Sequence, residues 1–379
     1  MIEPVRFLEK LESLGVRLFT GVPDSLLRGL CSHLDELPKN RHIVGANEGA
    51  AVGLAIGHYL RTGRPALVYL QNSGIGNAIN PLLSLADEDV YGIPMILLVG
   101  WRGKVGVKDE PQHLKQGRVM EALLDSMELP WVVLPRNDLD EVERCLHDAI
   151  ETAVSRKCPY VIMVEKGTFT TTSRKETAGD DDGRPSREEA LQCLIRALGE
   201  HTINISTTGM LSRELFEHRE QAGRGGSCDF LTVGGMGHCS SIALGIALRE
   251  REREVWCLDG DGALLMHMGT MTTIAKHAPA SFFHVVFNNG VHDSVGGQPT
   301  SIDVMNIPKL AEHAGYRLAL ATSALDEIEQ HVATMRDRGG PALLELKVRP
   351  GNRSDIGRPT RTPKSSKREF MAALGIFEG

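Results

Sequence analysis

Short apolar runs alternate with longer amphipathic stretches along most of the chain. Residues 16–20, 42–45, 66–70, 95–100, 131–134 and 160–164 are compact runs rich in Val, Ile and Leu. Their length and near-continuous apolarity predict strands buried on both faces, as in a parallel sheet. Residues 25–37, 48–60 and 139–155 carry apolar positions at helical spacing and predict the helices between them. This βαβα rhythm predicts a doubly wound α/β domain.

The rhythm stops at 173–187, SRKETAGDDDGRPSR, a polar stretch with Asp, Gly and Pro that predicts a linker. It then resumes, with strands expected at 202–206, 254–258, 281–287, 317–321 and 342–348. The expected organisation is a first domain over 1–172, the linker over 173–187, a second domain over 188–349 and a tail over 350–379. The tail is basic and turn-rich and predicts an extended or mobile segment ending in a short helix near 369–374. The halves look alike in architecture without a detectable sequence repeat.

Composition narrows the class of protein. Apolar content of 41% and charged content of 24% are ordinary for a globular chain. A net charge of −7 gives no sign of a nucleic-acid or membrane-surface partner. The seven cysteines contain no C-x-x-C pair and are odd in number, which reads as reduced thiols in the cytoplasm rather than disulfides or a zinc site. The start of the chain, MIEPVRFLEKLES, has no apolar core of a secretory leader, and no apolar run approaches the ~20 residues of a membrane span.

The sharpest chemical signal lies in the second half. VWCLDGDGAL places Gly260, Asp261 and Gly262 at the end of an expected strand, and SFFHVVFNNG places Asn288 and Asn289 at the end of the next. The separation, residues 263 to 287, suits one strand–helix–strand crossover, which brings Asp261 and Asn289 to the carboxyl ends of neighbouring parallel strands. Their hard oxygen donors suit Mg²⁺. The glycines admit a phosphate close to the backbone, and the following helix start offers N–H groups to an anion. Alone, GDG reads as a tight turn; the second motif on the next strand favours a metal–phosphate site.

With these residues the chain resembles the thiamine-diphosphate enzymes, whose signature is GDG, a gap of this length, and NN. The resemblance covers nearly the whole chain. It implies two doubly wound parallel-sheet domains of the thiamine-diphosphate-binding fold, a pyrimidine half and then a diphosphate half, with no middle domain. It implies thiamine diphosphate and Mg²⁺ as cofactors, with Mg²⁺ held by Asp261, Asn289 and the carbonyl of Val291. Gly260, Asp261, Gly262 and Ala263 would face the diphosphate, as would Thr208 and Gly209. Glu48, which opens EGAAVGLAIG after the strand-like HIVGA, corresponds to the glutamate that activates the aminopyrimidine ring. Taken alone, Glu48 reads as an acid placed favourably at a helix start. In GGMGHCSSIALGIAL, at 234–248, Gly234 would offer its carbonyl to the cofactor amine and Met236 would wedge between its rings. In such enzymes each site is shared between subunits, which implies at least a homodimer.

Within the family, LFTGVPDSLL, YLQNSGIGNAINPL, GWRGKVGVKDEPQHLKQGR and NNGVHDSVGGQPT resemble the branch that decarboxylates phosphonopyruvate or sulfopyruvate. This implies a small anionic 2-oxo acid substrate. Arg102, Lys104, Lys108, His113, Lys115 and Arg118 supply donors for a carboxylate and a tetrahedral oxyanion, though a solvated charged loop would have the same composition. Asn72, Ser73, Arg102, Lys108 and His113 are the expected substrate contacts. Asp24, His113 and His292 are the candidate proton shuttles, and Asp24 equally suits a helix N-cap. A dinucleotide-binding reading is disfavoured, because GVPDS stands where G-x-G-x-x-G would be needed. A non-catalytic homologue would be expected to lack Glu48 or a metal ligand, and carboligation is the rival reaction.

Overall fold

The computed structural model describes residues 1–136, 138–170, 183–223 and 228–377. The chain forms two compact units, Met1–Lys175 and Glu176–Gly379. The first holds strands β1 (Phe19–Gly21), β2 (His42–Val44), β3 (Leu67–Gln71), β4 (Met95–Gly100), β5 (Trp131–Val133) and β6 (Pro159–Val164). The second holds β7 (Ile203–Ser206), β8 (Asp229–Leu231), β9 (Val255–Gly260), β10 (Phe282–Asn288), β11 (Val291–His292), β12 (Gln298–Pro299), β13 (Leu318–Thr322) and β14 (Ala342–Lys347).

Each unit is built on a six-stranded sheet, ordered β2-β1-β3-β4-β6-β5 in the first and β8-β7-β9-β10-β14-β13 in the second. Every pairing in both sheets is parallel. With the small antiparallel β11–β12 hairpin set aside, the two orders are the same permutation. The strand order reverses between β1 and β3, and again between β7 and β9. Such switch points open a crevice at the carboxyl ends of the strands.

Alternation along the strands explains how each sheet is covered. On one face of the first sheet, Leu67, Tyr69, Ile96, Leu98, Ile162 and Val164 pack with Phe7, Leu30, Leu146 and Ala153. On the other, Val68, Leu70, Leu97, Val99, Val161 and Met163 pack with Val52, Ala55, Ala78 and Leu124. The second sheet repeats the scheme. Trp256, Leu258, Val285 and Leu344 face Leu191, Leu215 and Val332, while Val255, Val286 and Leu343 face Ala243, Ile274 and Ile307. The short apolar runs are therefore strands whose successive side chains enter opposite cores.

Four expectations change. The single helix expected in the crossover after GDG is two helices, Asp261–Met266 and Thr270–His277, so helix begins at the aspartate of the GDG motif itself. Strand β8 was not anticipated; it is a three-residue edge strand, too short to leave a periodic signal. In the expected linker, 173–182 lies outside the described residues, whereas Arg187 is already helical. Ser186 and Glu189 form a reciprocal capping box that starts helix Arg187–Leu198.

The tail differs most. Its helix spans Pro363–Ala373, capped by the Thr362 side chain, and Phe370 is buried against Phe230 with ring centroids 5.4 Å apart. Arg353 pairs with Glu188 and Glu217, and Arg361 bonds Glu220 at 2.6 Å and Glu369 at 2.7 Å. The basic residues that suggested mobility instead strap the tail to acidic residues on two helices of its own unit. Among the described residues no helix is long and apolar enough to cross a membrane.

Phe370→Ala removes the ring that docks the tail helix. It is expected to cost about 3 kcal/mol and to lower the urea midpoint and Tm. A shift equivalent to less than about 0.5 kcal/mol, the level of an ordinary surface substitution, would show that the helix is not docked in solution.

Candidate active site

In the first unit the candidate residues gather where β1, β3 and β4 end. Asp24 follows β1 and is fully buried. Its Oδ1 accepts from Gln71 Nε2 at 2.6 Å and its Oδ2 from the Leu26 N–H at 3.0 Å, so it is the N-cap of the short turn Ser25–Leu27. Gly100, the last residue of β4, must be a glycine here, since a Cβ would lie 2.1 Å from Asp24 Oδ2. Burial raises the Asp24 pKa, opposed by Gln71, the Leu26 N–H and the charge of Arg102.

Glu48 is the first residue of helix Glu48–Thr62, behind the Asn47 cap, whose Oδ1 accepts from the Ala50 N–H at 2.9 Å. Its side chain turns inward and is 6% exposed. Oε2 accepts from Asn77 Nδ2 at 2.7 Å, and the other side of the carboxyl lies on Gly74, where a Cβ would come within 2.2 Å of Oε1. Burial pushes the Glu48 pKa above its ordinary value, and the Asn77 bond pulls it back in part.

Asn72 and Arg102 are brought together, largely through backbone. Asn72 Nδ2 donates to the Arg102 carbonyl at 2.9 Å and its Oδ1 accepts from the Arg102 N–H at 3.1 Å, so this asparagine clamps the loops after β3 and β4. The Arg102 guanidinium forks onto Asp109 and donates to Ser25 Oγ at 2.8 Å. Lys104 pairs with Glu165 and lies over the Trp101 ring. Ser73, Lys108, Lys115 and Arg118 are exposed. Burial, reinforced by Arg102, lowers His113 to about 4, and its Nδ1 is buried without a partner.

In the second unit Asp261 stands at the end of β9, 3% exposed. Thr300 Oγ1 donates to it at 2.6 Å, and the N–H groups of Gly262 and Asn289 also reach it. Burial pushes its pKa up to about 6. The N–H contact ties Asp261 to Asn289, which follows the neighbouring strand, as the spacing of the two motifs requires. Asn289 Oδ1 accepts from the Val291 N–H at 3.1 Å and its Nδ2 donates to Asp293 at 2.7 Å. Gly290 and Val291 lead into the β11–β12 hairpin, which holds Thr300 against Asp261 through Thr300 N–H to Gly290 O at 2.8 Å.

The other expected cofactor contacts surround this pair. A Cβ on Gly262 would lie 2.9 Å from the His292 ring and 3.2 Å from the Met236 methyl, so both side chains face the GDG turn. Burial lowers His292 to about 4, against the pull of Asp293. Gly237, at φ +84°, lets the 234–238 loop approach Ala263 and His267. Beyond β7, Thr208 and Gly209 lie opposite the 292–297 loop, and a Cβ on Gly209 would meet Ser294 Oγ at 2.7 Å. Gly209, at φ +108°, starts helix Met210–Gln221 without a side-chain cap, and the buried Thr207 Oγ1 beside it has no partner.

The sequence matches two family models. Residues 6–128 match "Thiamine pyrophosphate enzyme, N-terminal TPP binding domain", and residues 207–346 match the C-terminal TPP binding domain of the same enzymes. The chain belongs to the thiamine pyrophosphate enzyme family. Over 98% of its length it is 35% identical to a phosphonopyruvate decarboxylase of Streptomyces viridochromogenes, covering 95% of that protein. It is likewise 35% identical to a phosphonopyruvate decarboxylase of Streptomyces hygroscopicus, with 98% and 93% covered. A sulfopyruvate decarboxylase of Methanosarcina acetivorans is 24% identical, with 98% and 97% covered.

The donor set of the second unit fits the diphosphate and cation of this family. Asp261 is a buried carboxylate whose neighbours are all neutral donors, an arrangement that a divalent cation completes. The uncapped helix start at Gly209 and the unpartnered Thr207 hydroxyl offer donors to an anion. Sequence reasoning missed the residues that support these groups: Gln71, Gly74, Asn77, Gly100, Asp293 and Thr300. All six lie inside the segments that carry the resemblance, but nothing in their spacing shows what they touch.

Because the folded-state pKa of Glu48 lies above its unfolded value of 4.5, the folded chain loses stability relative to the unfolded chain as pH rises past that value. Glu48→Gln removes the charge and the penalty. In cofactor-free protein the variant should become progressively more stable than wild type as pH is raised from 4 to 7, read as the difference in Tm. A difference that shrinks over this range would show that Glu48 is stabilised in its charged form.

Proposed function

We propose that the chain decarboxylates 3-phosphonopyruvate to phosphonoacetaldehyde and CO₂ with thiamine diphosphate and Mg²⁺, as a step of phosphonate biosynthesis. The observation that carries this reading is 35% identity to phosphonopyruvate decarboxylases over 98% of the chain, with Glu48, Asp261 and Asn289 all in place. Each half of the chain matches a TPP binding domain, and each unit carries its candidate residues at a switch-point crevice. The working assembly is at least a homodimer in the cytoplasm, and the seven unpaired thiols suit a reducing compartment.

Asp261, Asn289 and the Val291 carbonyl would hold Mg²⁺ on the diphosphate. Gly260, Gly262, Ala263, Thr208 and Gly209 would line the phosphates, with Gly234 and Met236 at the rings. Bound thiamine diphosphate supplies a nucleophilic carbon and an electron sink for the bond to CO₂. Glu48, whose pKa burial raises, would hydrogen-bond a ring nitrogen and exchange a proton with it. Replacing CO₂ by a proton at the same carbon needs a donor near the substrate. His113 and His292 are neutral near pH 7 and can relay that proton, whereas both oxygens of Asp24 are engaged by the protein. Ser73, Lys108 and the Asp109-oriented Arg102, with Asn72 clamping its loop, would meet the carboxylate and phosphonate.

Sulfopyruvate is the second reading, favoured by the Methanosarcina relative that aligns over 98% of the chain at lower identity. Purified protein with both cofactors should release CO₂ from phosphonopyruvate at least tenfold faster, in kcat/KM, than from sulfopyruvate or pyruvate. Preference for sulfopyruvate would move the assignment to that substrate. Glu48→Gln should still bind thiamine diphosphate but lose at least about 100-fold in kcat, the usual weight of an acid–base group. Undiminished turnover in this variant would remove Glu48 from its role.

A further inference from the structure

Arg187 opens helix Arg187–Leu198, and its side chain is 7% exposed. The guanidinium is used on both edges. Nε and Nη2 donate to the two oxygens of Glu214, each at 2.8 Å, and Nη1 donates to Asp293 Oδ2 at 2.8 Å. The same Asp293 oxygen accepts from Asn289 Nδ2 at 2.7 Å, and the Gly351 N–H reaches Oδ1 at 3.1 Å. A continuous, largely buried path therefore runs from Glu214 through Arg187 and Asp293 to Asn289.

Stability alone gives little reason for such a path, because the desolvation of buried ion groups offsets most of their attraction. Its geometric effect is specific. An asparagine side chain has an oxygen end and an NH₂ end, and only the oxygen can bind a cation. Asp293 can only accept, so it selects the NH₂ end, and it thereby reinforces the Val291 N–H, which meets Oδ1 at 3.1 Å. Asp293 would by itself be a free anion close to a metal ligand, able to swing toward the cation. Arg187, pinned in turn by Glu214, neutralises it and holds it back.

We infer that Arg187 is a positioning residue for Mg²⁺ coordination: through Asp293 it fixes the Asn289 amide with its oxygen toward the cation. This rests on the reading of Asn289 as a Mg²⁺ ligand.

The test is calorimetric titration of thiamine diphosphate into the full-length protein over a series of MgCl₂ concentrations, with kcat measured at saturating Mg²⁺. Outer-shell partners of metal ligands typically change metal affinity about 10- to 100-fold. Arg187→Met should raise the Mg²⁺ half-saturation by that factor and leave kcat at saturating Mg²⁺ within a few-fold. Arg187→Lys should recover part of the affinity. Wild-type Mg²⁺ dependence in a folded Arg187→Met overturns the inference. If that variant does not fold, Asp293→Asn decides: its amide can no longer impose one orientation on Asn289, so an unchanged half-saturation overturns the inference equally. Asn289→Ala separates the two levels. Weakened Mg²⁺ response there, with normal response in the other variants, sinks only the role of Arg187. Normal response in Asn289→Ala sinks the ligand reading and the inference with it.

Discussion

Both sheets are parallel and covered by helices on both faces, and this constraint shapes the rest of the protein. Side chains from β4, β9 and β10 enter a core whichever way they point, so polar chemistry along these strands is confined mainly to their ends. The carboxyl ends are favoured because helix N-termini start there, with N–H groups free for anions. The strand order reverses between β1 and β3 and between β7 and β9, and the loops there have no neighbouring crossover to cover them. Asp24 and the Asn72–Gly74 turn lie at the first switch point, and Thr208, Gly209 and Asp261 lie at the second.

Glu48 and Asp261 show how one side-chain chemistry is tuned to two tasks. Both are buried carboxyls at the first turn of a helix, with pKa values raised mainly by burial. Glu48 lies against Gly74 and has one side-chain donor, Asn77, an environment that suits a retained proton. Asp261 is met by the Thr300 hydroxyl and by backbone N–H groups, neutral donors that leave its charge for a cation to balance. The strand end beneath Asp261 is itself braced. Asp259 Oδ1 accepts from the Gly260 N–H at 2.9 Å, and its other oxygen faces His284 Nε2 at 3.4 Å, whose Nδ1 meets the Tyr316 hydroxyl. This buried chain holds the backbone from which the GDG turn departs.

Much of this was legible in the sequence. The apolar runs marked β4 to the residue and most other strands to within one or two positions, because a strand buried on both faces has no alternation to confuse with a loop. The GDG and NN spacing was enough to bring Asp261 beside Asn289, since one crossover in a parallel sheet has only one outcome. The reading failed where local signal and tertiary context part. The charges of the tail suggest a mobile segment until Glu188, Glu217 and Glu220 are seen to meet Arg353 and Arg361. Nor does any local pattern show that Asp109 orients Arg102 or that Lys104 is paired with Glu165.

The sequence by itself determined the fold class, the two-part organisation, the family and the identity of the acid and metal-ligand candidates. The fold class follows from periodicity within an element and the Asp261–Asn289 pair from spacing across a single crossover, whereas the family and Glu48 follow from the resemblance of whole motifs; all are properties of continuous stretches of chain. Only the tertiary structure decided which groups orient those residues. Asn77 reaches Glu48 across a gap of 29 residues, Thr300 reaches Asp261 across 39, and Arg187 reaches Asp293 across 106. Contacts at such separations depend on how helices and loops dock onto the sheets, and no local pattern encodes them.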